Sequence, residues 1–164
     1  MKCAMAVAAE KMPPETGGTL HRVTELLGGA RLLAWRVTSS LDAHEMLLRG
    51  LPPSALDHLV GQLTYIRKAD SLEKAFGMSL RTYQRRKDAP AKPLSQEQSG
   101  RAWKFAEILS KATDVFGSQA EAEQWLERPA IGLDQRRPID LLATPAGVEL
   151  VEEHLTRLDY GVYA

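Results

Sequence analysis

The chain has a single cysteine and few aromatic residues. Of its 164 residues only Cys3 has a thiol, so no disulfide can form within the chain, and we expect a reducing compartment, the cytoplasm. Aromatic residues make up 6% of the sequence, and runs of β-branched residues are short. Both deficits disfavour β-sheet and, with many Leu and Ala, favour an all-α fold.

Long hydrophobic runs and an excess of one charge are also missing. The apolar run at residues 3–9 is too short for a membrane span, and Glu10 and Lys11 follow it directly, which excludes a good signal core. We therefore predict no membrane partner. Residues 1–99 contain 14 Lys and Arg against 10 Asp and Glu, whereas residues 100–164 contain 7 against 11. This asymmetry suggests two faces for two kinds of partner.

Common catalytic motifs are absent as well. The four histidines lack HExxH spacing, no glycine-rich loop ends in GK[ST], and no GxSxG sequence occurs. Glu149, Glu152 and Glu153 could be imagined as a metal or acid–base group, but their spacing fits a solvated helix face better. We therefore predict no catalytic residues, no metal site and no cofactor.

The segment at residues 72–87, LEKAFGMSLRTYQRRK, has the pattern of a helix-turn-helix. Its first helix has one apolar face, and Gly77 supplies a position where a positive φ angle is easily adopted. Ser79 can cap the second helix by accepting a backbone N–H bond. The apolar face of the first helix consists of Leu72, Ala75 and Phe76.

The second helix of this segment is rich in side chains that contact DNA. Leu80 and Tyr83 are predicted to face inward, which leaves the other side chains outside. Arginine can bind guanine and glutamine adenine through paired hydrogen bonds, while hydroxyl groups and lysine hold phosphates. The alternative is a solvated basic helix in an ordinary bundle. The predicted DNA-binding residues are Ser79, Arg81, Thr82, Gln84, Arg85, Arg86 and Lys87.

Proline and glycine divide the rest of the chain. Residues 1–18 lack periodicity and end in a Pro- and Gly-rich stretch, so we predict a flexible tail, with order beginning near Thr19. Pro90 and Pro93 mark the predicted boundary between a helical region at residues 19–92, with its helix-turn-helix at about 71–88, and a second domain at 94–164. A helix at 41–49 should end at Gly50, and Ser54 is a plausible N-cap of the next helix.

The second half shows clear helix start signals. Ser95 with Gln98 and Ser118 with Glu121 have the spacing of capping boxes, and Thr144 precedes a proline at the first helical position. The last helix has an apolar stripe, and Arg136 and Arg137 precede Pro138, where they could bind an anion or hold the loop through carboxylates. The predicted core positions of the last helix are Val148, Val151, Leu155 and Leu158.

The two sequences VFGSQAEAEQWL and PAIGLDQRRPIDLLATPAGVELVEEHLTRLDYGVY closely resemble the toxin-binding domain of Xre/MbcA/ParS-type antitoxins. The resemblance covers about residues 50–164, and SLRTYQRRK is similar to that family's recognition helix. It implies an all-helical, DNA-binding antitoxin whose partner is a toxin of the RES class, thought to consume NAD. In such pairs the C-terminal end of the antitoxin closes the active-site cleft of the toxin, and the complex represses its own operon.

The C-terminal end is unusually apolar, with two tyrosines and a valine after the last helix. Tyrosine contributes a large contact area with a polar tip, which suits insertion into a partner's cleft. The alternative is that these rings fold back onto the chain's own core. The toxin-binding residues predicted on the basis of the resemblance are Glu152, Leu155, Arg157, Asp159, Tyr160, Gly161, Val162 and Tyr163.

Two other function classes remain open at this point. The chain could be a stand-alone helix-turn-helix repressor whose C-terminal domain dimerises or senses a ligand, or a scaffold that does not contact DNA. We expect a homodimer in either DNA-binding case, because one recognition helix reads only a few base pairs and symmetry doubles the contact.

Overall fold

The computed structural model describes the backbone of residues 16–161, and within that part of the chain all regular structure is helical apart from one isolated bridge between Ala130 and Arg136. The predicted all-α fold is confirmed. None of the described helices is long and apolar enough to span a membrane. The helices are α1 (Thr16–Leu26), α2 (Gly29–Leu33), α3 (Ser40–Arg49), α4 (Pro53–Gln62), α5 (Ala69–Phe76), α6 (Leu80–Asp88), α7 (Gln96–Phe116), α8 (Gln119–Glu127), α9 (Pro138–Leu141) and α10 (Pro145–Asp159), with a 3-10 turn at Ile131–Leu133 between α8 and α9.

The long helix α7 lies at the centre of the fold. It packs against α1, α3 and α5 from the first half of the chain and against α8 and α10 from the second half. Its buried side chains belong to one continuous hydrophobic cluster that also contains Leu27, Leu59 and Leu126. The segment with Pro90 and Pro93 is thus a turn that leads into the shared core helix. The division into a helical region at residues 19–92 and a second domain at residues 94–164 remains a prediction.

The helix ends follow the local signals at most positions. Ser95, Ser118 and Thr144 each accept a backbone N–H bond at the start of their helix, and at Ser95 the full capping box with Gln98 forms. The prediction for Ser54 was wrong, because α4 already begins at Pro53. The fixed φ angle of proline and its missing N–H favour the first helical position, which places Ser54 inside the helix.

The predicted start of order near Thr19 was also late, since α1 begins three residues earlier, at Thr16. Val23 and Leu26 of α1 are buried, and the packing of α1 against α7 stabilises the helix despite two glycines in its first turn. The remainder of the predicted tail, including Cys3, lies outside the described residues.

Candidate functional site

The turn between α5 and α6 has the geometry that the sequence predicts. α5 ends at Phe76, and Gly77 adopts a left-handed conformation with φ 67°. Met78 is buried in the turn. The Oγ atom of Ser79 accepts a hydrogen bond of 3.2 Å from the N–H of Thr82 and so caps α6. The segment is therefore a helix-turn-helix, with α6 as its second helix.

Helix α6 exposes one polar, basic face. Arg81, Gln84 and Arg85 are all exposed, and their spacing of three and four residues places them on the same side of the helix. No residue of α6 is fully buried. Two guanidinium groups and one amide thus form a surface that can reach the edges of bases in a DNA groove.

The other predicted DNA-binding residues have partners within the chain or less exposure. The Ser79 hydroxyl donates to the Thr82 hydroxyl at 3.1 Å in addition to its role as a cap. The Nζ atom of Lys87 lies 3.3 Å from the Asp57 carboxylate, and Arg86 is half-buried. These positions suit phosphate contacts better than base contacts, and their roles remain predictions.

The inner side of α6 is attached to α4 by a partly buried hydrogen bond. The hydroxyl of Tyr83 donates to the Asp57 carboxylate at 2.5 Å, which confirms that Tyr83 faces inward. This bond lowers the pKa of the Asp57 carboxyl, and burial together with the same bond raises the pKa of the Tyr83 hydroxyl.

Leu80 was wrongly predicted to face inward. It lies at the edge of the apolar cluster, in the first turn of the helix, and is 48% exposed.

Replacement of Tyr83 by Phe is expected to lower the free energy of unfolding at pH 7 by about 1 kcal/mol, a small value because Asp57 is partly exposed. Asp57 has a folded-state pKa below its ordinary value of 3.8, so this stabilisation is present above that value and is lost as the pH falls through the folded-state pKa. Urea unfolding of both proteins at decreasing pH measures the difference. A difference that stays constant as the medium is acidified would contradict this assignment.

Two basic residues near the helix-turn-helix were not predicted from the sequence to contact DNA. Arg67 and Lys68 directly precede α5 and are exposed, with Lys68 at the N-cap position. In helix-turn-helix proteins the first helix of the motif crosses the DNA backbone, where lysine and arginine bind phosphates. The signal that could have revealed them is the Arg-Lys pair directly before the predicted first helix.

In the second half of the chain, three neighbouring aromatic side chains connect α7, α8 and α10. The ring centroids of Phe116 and Trp125 are 5.2 Å apart, and Trp125 stacks on His154 at 6.0 Å. Burial lowers the pKa of the His154 imidazole, and the nearby Arg157 lowers it further. The backbone at Gly132 lies so close to this imidazole that an added Cβ would be 2.2 Å from its Cε1 atom. The 3-10 turn at Ile131–Leu133 therefore packs directly against α10, and we call it the seated turn.

The seated turn presents an apolar side chain to solvent. Ile131 is 84% exposed, although it lies beside the buried Ala130 and Leu133. Ile131 was not among the residues predicted from the sequence to bind a partner. The sequence contains only a weak signal that Ile131 binds a partner. It is one isoleucine in a segment with several charged residues between Pro129 and Pro138, and single exposed apolar residues are common. Its position on a fixed turn makes it a candidate contact for a partner.

The end of α10 is also exposed. Tyr160 is 78% exposed, so its ring does not pack onto the chain's own core. Gly161 adopts φ 69° and donates to the carbonyl of Leu158 at 3.1 Å, which ends the helix. Asp159 is exposed on the last turn. The predicted contact residues Val162 and Tyr163 lie outside the described residues.

Three further residues predicted to bind the partner are placed differently. Leu155 was wrongly included, because its side chain is fully buried and fills the core beneath α10. The carboxylate of Glu152 lies 3.1 Å from the Nζ atom of Lys104 on α7, so it serves the packing between these helices. Arg157 is exposed and lies 3.4 Å from the Glu153 carboxylate, one turn earlier on α10.

Of the two arginines before α9, Arg137 holds the loop through carboxylates, which was one of the two alternatives, whereas the side chain of Arg136 is exposed. The guanidinium group of Arg137 donates two hydrogen bonds to Asp140, at 2.9 and 2.8 Å, and contacts Glu127 at 3.1 Å and Asp70 at 3.3 Å. The hydrogen bonds to Asp140 raise the pKa of the Arg137 guanidinium.

Within residues 16–161 no group of three or more His, Cys, Asp or Glu side chains could hold a metal ion.

Comparison with known protein families yields two matches. Residues 42–107 match the model of the antitoxin Xre-like helix-turn-helix domain, and residues 111–161 match the model of the antitoxin Xre/MbcA/ParS C-terminal toxin-binding domain. The two matches meet within α7, which agrees with its central place in the fold.

Individual proteins are also similar over much of the chain. An antitoxin Xre of Photorhabdus laumondii is 29% identical over 80% of this chain and 88% of its own length. An antitoxin Xre of Yersinia enterocolitica is 33% identical over 60% of this chain and 66% of its own length. A protein of a Sphingobium species named Prs ADP-ribosylating antitoxin is 26% identical over 77% of this chain and 83% of its own length.

Proposed function

Since the chain belongs to the Xre-type antitoxins, with an Xre-like helix-turn-helix domain and a C-terminal toxin-binding domain, we propose that it neutralises a cognate toxin of the RES class. The toxin consumes NAD, and the segment from Tyr160 to the end of the chain covers its active site. The same protein, as a cytoplasmic homodimer, binds operator DNA through α6 and represses its own operon.

The toxin-binding part of this proposal rests on the exposed apolar side chains of the matched toxin-binding domain. Ile131, Leu150 and Tyr160 are 84%, 52% and 78% exposed. Two of them lie on elements that are fixed in place, the seated turn and the helix α10. Tyrosine is among the residue types that contribute most to the affinity of protein interfaces, and neighbouring apolar contacts exclude water around such an anchor.

Operator binding is supported by the face formed by Arg81, Gln84 and Arg85. The helix below this face is fixed by the cap at Ser79 and by the hydrogen bond between Tyr83 and Asp57. A rigid helix keeps its side chains in register with the bases, and two copies related by a twofold axis would read a palindromic operator.

The proposal as a whole is tested by co-expression with a RES-type protein encoded in a neighbouring reading frame. We expect the two proteins to co-purify and the host cells to keep their NAD, because the bound toxin cannot reach its substrate. If the purified complex also binds the upstream promoter DNA, this chain both neutralises the toxin and binds the operator. A chain that binds the promoter but no such partner would instead be a stand-alone repressor.

Substitution of Ile131 by Asp is expected to weaken toxin binding by about 2 kcal/mol or more while the melting temperature changes little, since the side chain is exposed in the free protein. The matched control is Leu41→Asp, which changes an exposed apolar residue, 67% accessible, on α3 in the other half of the chain. Isothermal titration with the toxin measures both variants. Equal losses for the two variants would show that Ile131 has no special role.

A further inference from the structure

A buried glutamate connects the toxin-binding domain to the helix-turn-helix. Glu123, on α8, is fully buried, and its Oε2 atom accepts hydrogen bonds from the backbone N–H groups of Thr64, Tyr65 and Ile66, at 2.8, 2.6 and 3.2 Å. Its Oε1 atom accepts a bond of 2.8 Å from Gln119. Burial of a carboxylate is costly unless it is fully hydrogen-bonded, and here both oxygen atoms have donors.

The three N–H groups belong to the link between α4 and α5, the first helix of the helix-turn-helix. Arg67 and Lys68 follow directly after the bound segment and are exposed. Three consecutive N–H groups that converge on one oxygen fix the backbone of the link. Glu123 therefore sets the path by which the chain enters the DNA-binding motif.

Two arginines from other helices or loops contact the first and last turns of α5. Arg137, which precedes α9, contacts Asp70 in the first turn of α5 at 3.3 Å. Arg101, on α7, donates to the carbonyl of Lys74 near the end of α5, and its guanidinium lies where a Cβ at Gly77 would be. The first helix of the motif is thus held at its entry, its first turn and its end by residues outside the motif.

Helix α6, in contrast, packs mainly against α4 and α5. Its orientation therefore depends on how α4 and α5 lie relative to each other, and Glu123 holds the link that joins these two helices. A rotation of this pair of helices would displace the tips of Arg81 and Arg85, and hydrogen bonds to base edges weaken steeply when their distance or angle changes.

From this arrangement we propose that Glu123, within the toxin-binding domain, is a positioning residue for operator recognition. It holds the link at residues 64–66 and so fixes α5 and α6 in the orientation that reads bases. The helix-turn-helix is then not an independent DNA-binding unit, because its specificity depends on α8. This inference rests on the proposed operator binding.

The test compares full-length wild-type protein with the variants Glu123→Gln and Glu123→Met. Gln retains one acceptor oxygen without its charge, and Met has a similar volume without an acceptor. Binding to operator DNA and to a scrambled duplex of equal length is measured for each, at a temperature below the melting midpoint of each variant. The quantity compared is the ratio of the two affinities.

We expect this ratio to fall on the order of tenfold in Glu123→Gln, comparable to one mismatched base pair, and further in Glu123→Met. Binding to the scrambled duplex should persist, because phosphate contacts tolerate a shifted helix. Partial unfolding alone would lower both affinities by the same factor. The matched control is Glu121→Gln, which removes the same charge from an exposed position on the same helix and should keep the wild-type ratio.

The outcomes separate this inference from the proposed function. If Glu123→Gln keeps the wild-type ratio, or if Glu121→Gln loses as much as Glu123→Gln, the positioning role is refuted. If wild-type protein does not distinguish operator from scrambled DNA, the proposed operator binding itself fails, and with it the basis of this inference.

Discussion

Removal of residues 160–164 is expected to abolish neutralisation of the proposed RES-type toxin and to leave the fold and the proposed operator binding intact. Tyr160 and Gly161 are exposed and follow the last helical residue, Asp159, so their loss removes no core contact. The proposed mechanism is steric, because the segment occupies the cleft where NAD enters. Added NAD should therefore compete with the antitoxin and slow formation of the complex.

The contribution of a single ring can be measured in the same way. Substitution of Tyr163 by Ala is expected to weaken toxin binding by about 2–4 kcal/mol if the ring is a buried interface anchor. Tyr65→Ala is the matched control, since Tyr65 is a half-exposed tyrosine in the DNA-binding half. A folded truncation that still inhibits fully would move the inhibitory surface elsewhere, to Ile131 and the exposed side of α10.

Substitution of both Arg81 and Arg85 by Ala is expected to eliminate specific operator binding. Each arginine that binds a guanine through paired hydrogen bonds contributes about 1–3 kcal/mol, and its loss relaxes specificity at that base pair. A phosphate contact would instead weaken binding to all sequences alike. Fluorescence anisotropy with operator and scrambled duplexes distinguishes the two cases.

The control for this experiment must remove the same charge. Arg128 and Arg157 are both exposed in the C-terminal half, and their double replacement by Ala lowers the net charge equally without touching α6. Wild-type operator affinity in the Arg81/Arg85 variant would exclude α6 as the reading helix, whatever the control shows.

Features that depend on neighbouring residues could be predicted from the sequence. The turn at Gly77, the caps at Ser79 and Ser95 and the final helix after Thr144 all follow from residues within four positions of one another. Each signal has a local physical cause, a left-handed backbone or an unsatisfied N–H group, and these causes act in the same way in any fold.

Features that depend on distant residues could not be predicted. Glu123 contacts a segment more than fifty residues earlier in the chain, and in the sequence it is one of several Glu and Gln residues of α8 with nothing to distinguish it. Leu155 was placed at the partner surface because the resemblance does not separate residues that contact the toxin from residues that support α10. Ile131 escaped notice because its exposure depends on how Gly132 packs against His154.

In the proposed function, the C-terminal segment of this antitoxin blocks an NAD-consuming toxin. The most direct test is to titrate the purified RES-type toxin with full-length antitoxin and to follow the remaining NAD by fluorescence or absorbance. The proposed function predicts that NAD consumption falls linearly to zero at a fixed molar ratio and that the truncation lacking residues 160–164 has no effect. Unchanged NAD consumption at saturating full-length antitoxin would contradict it.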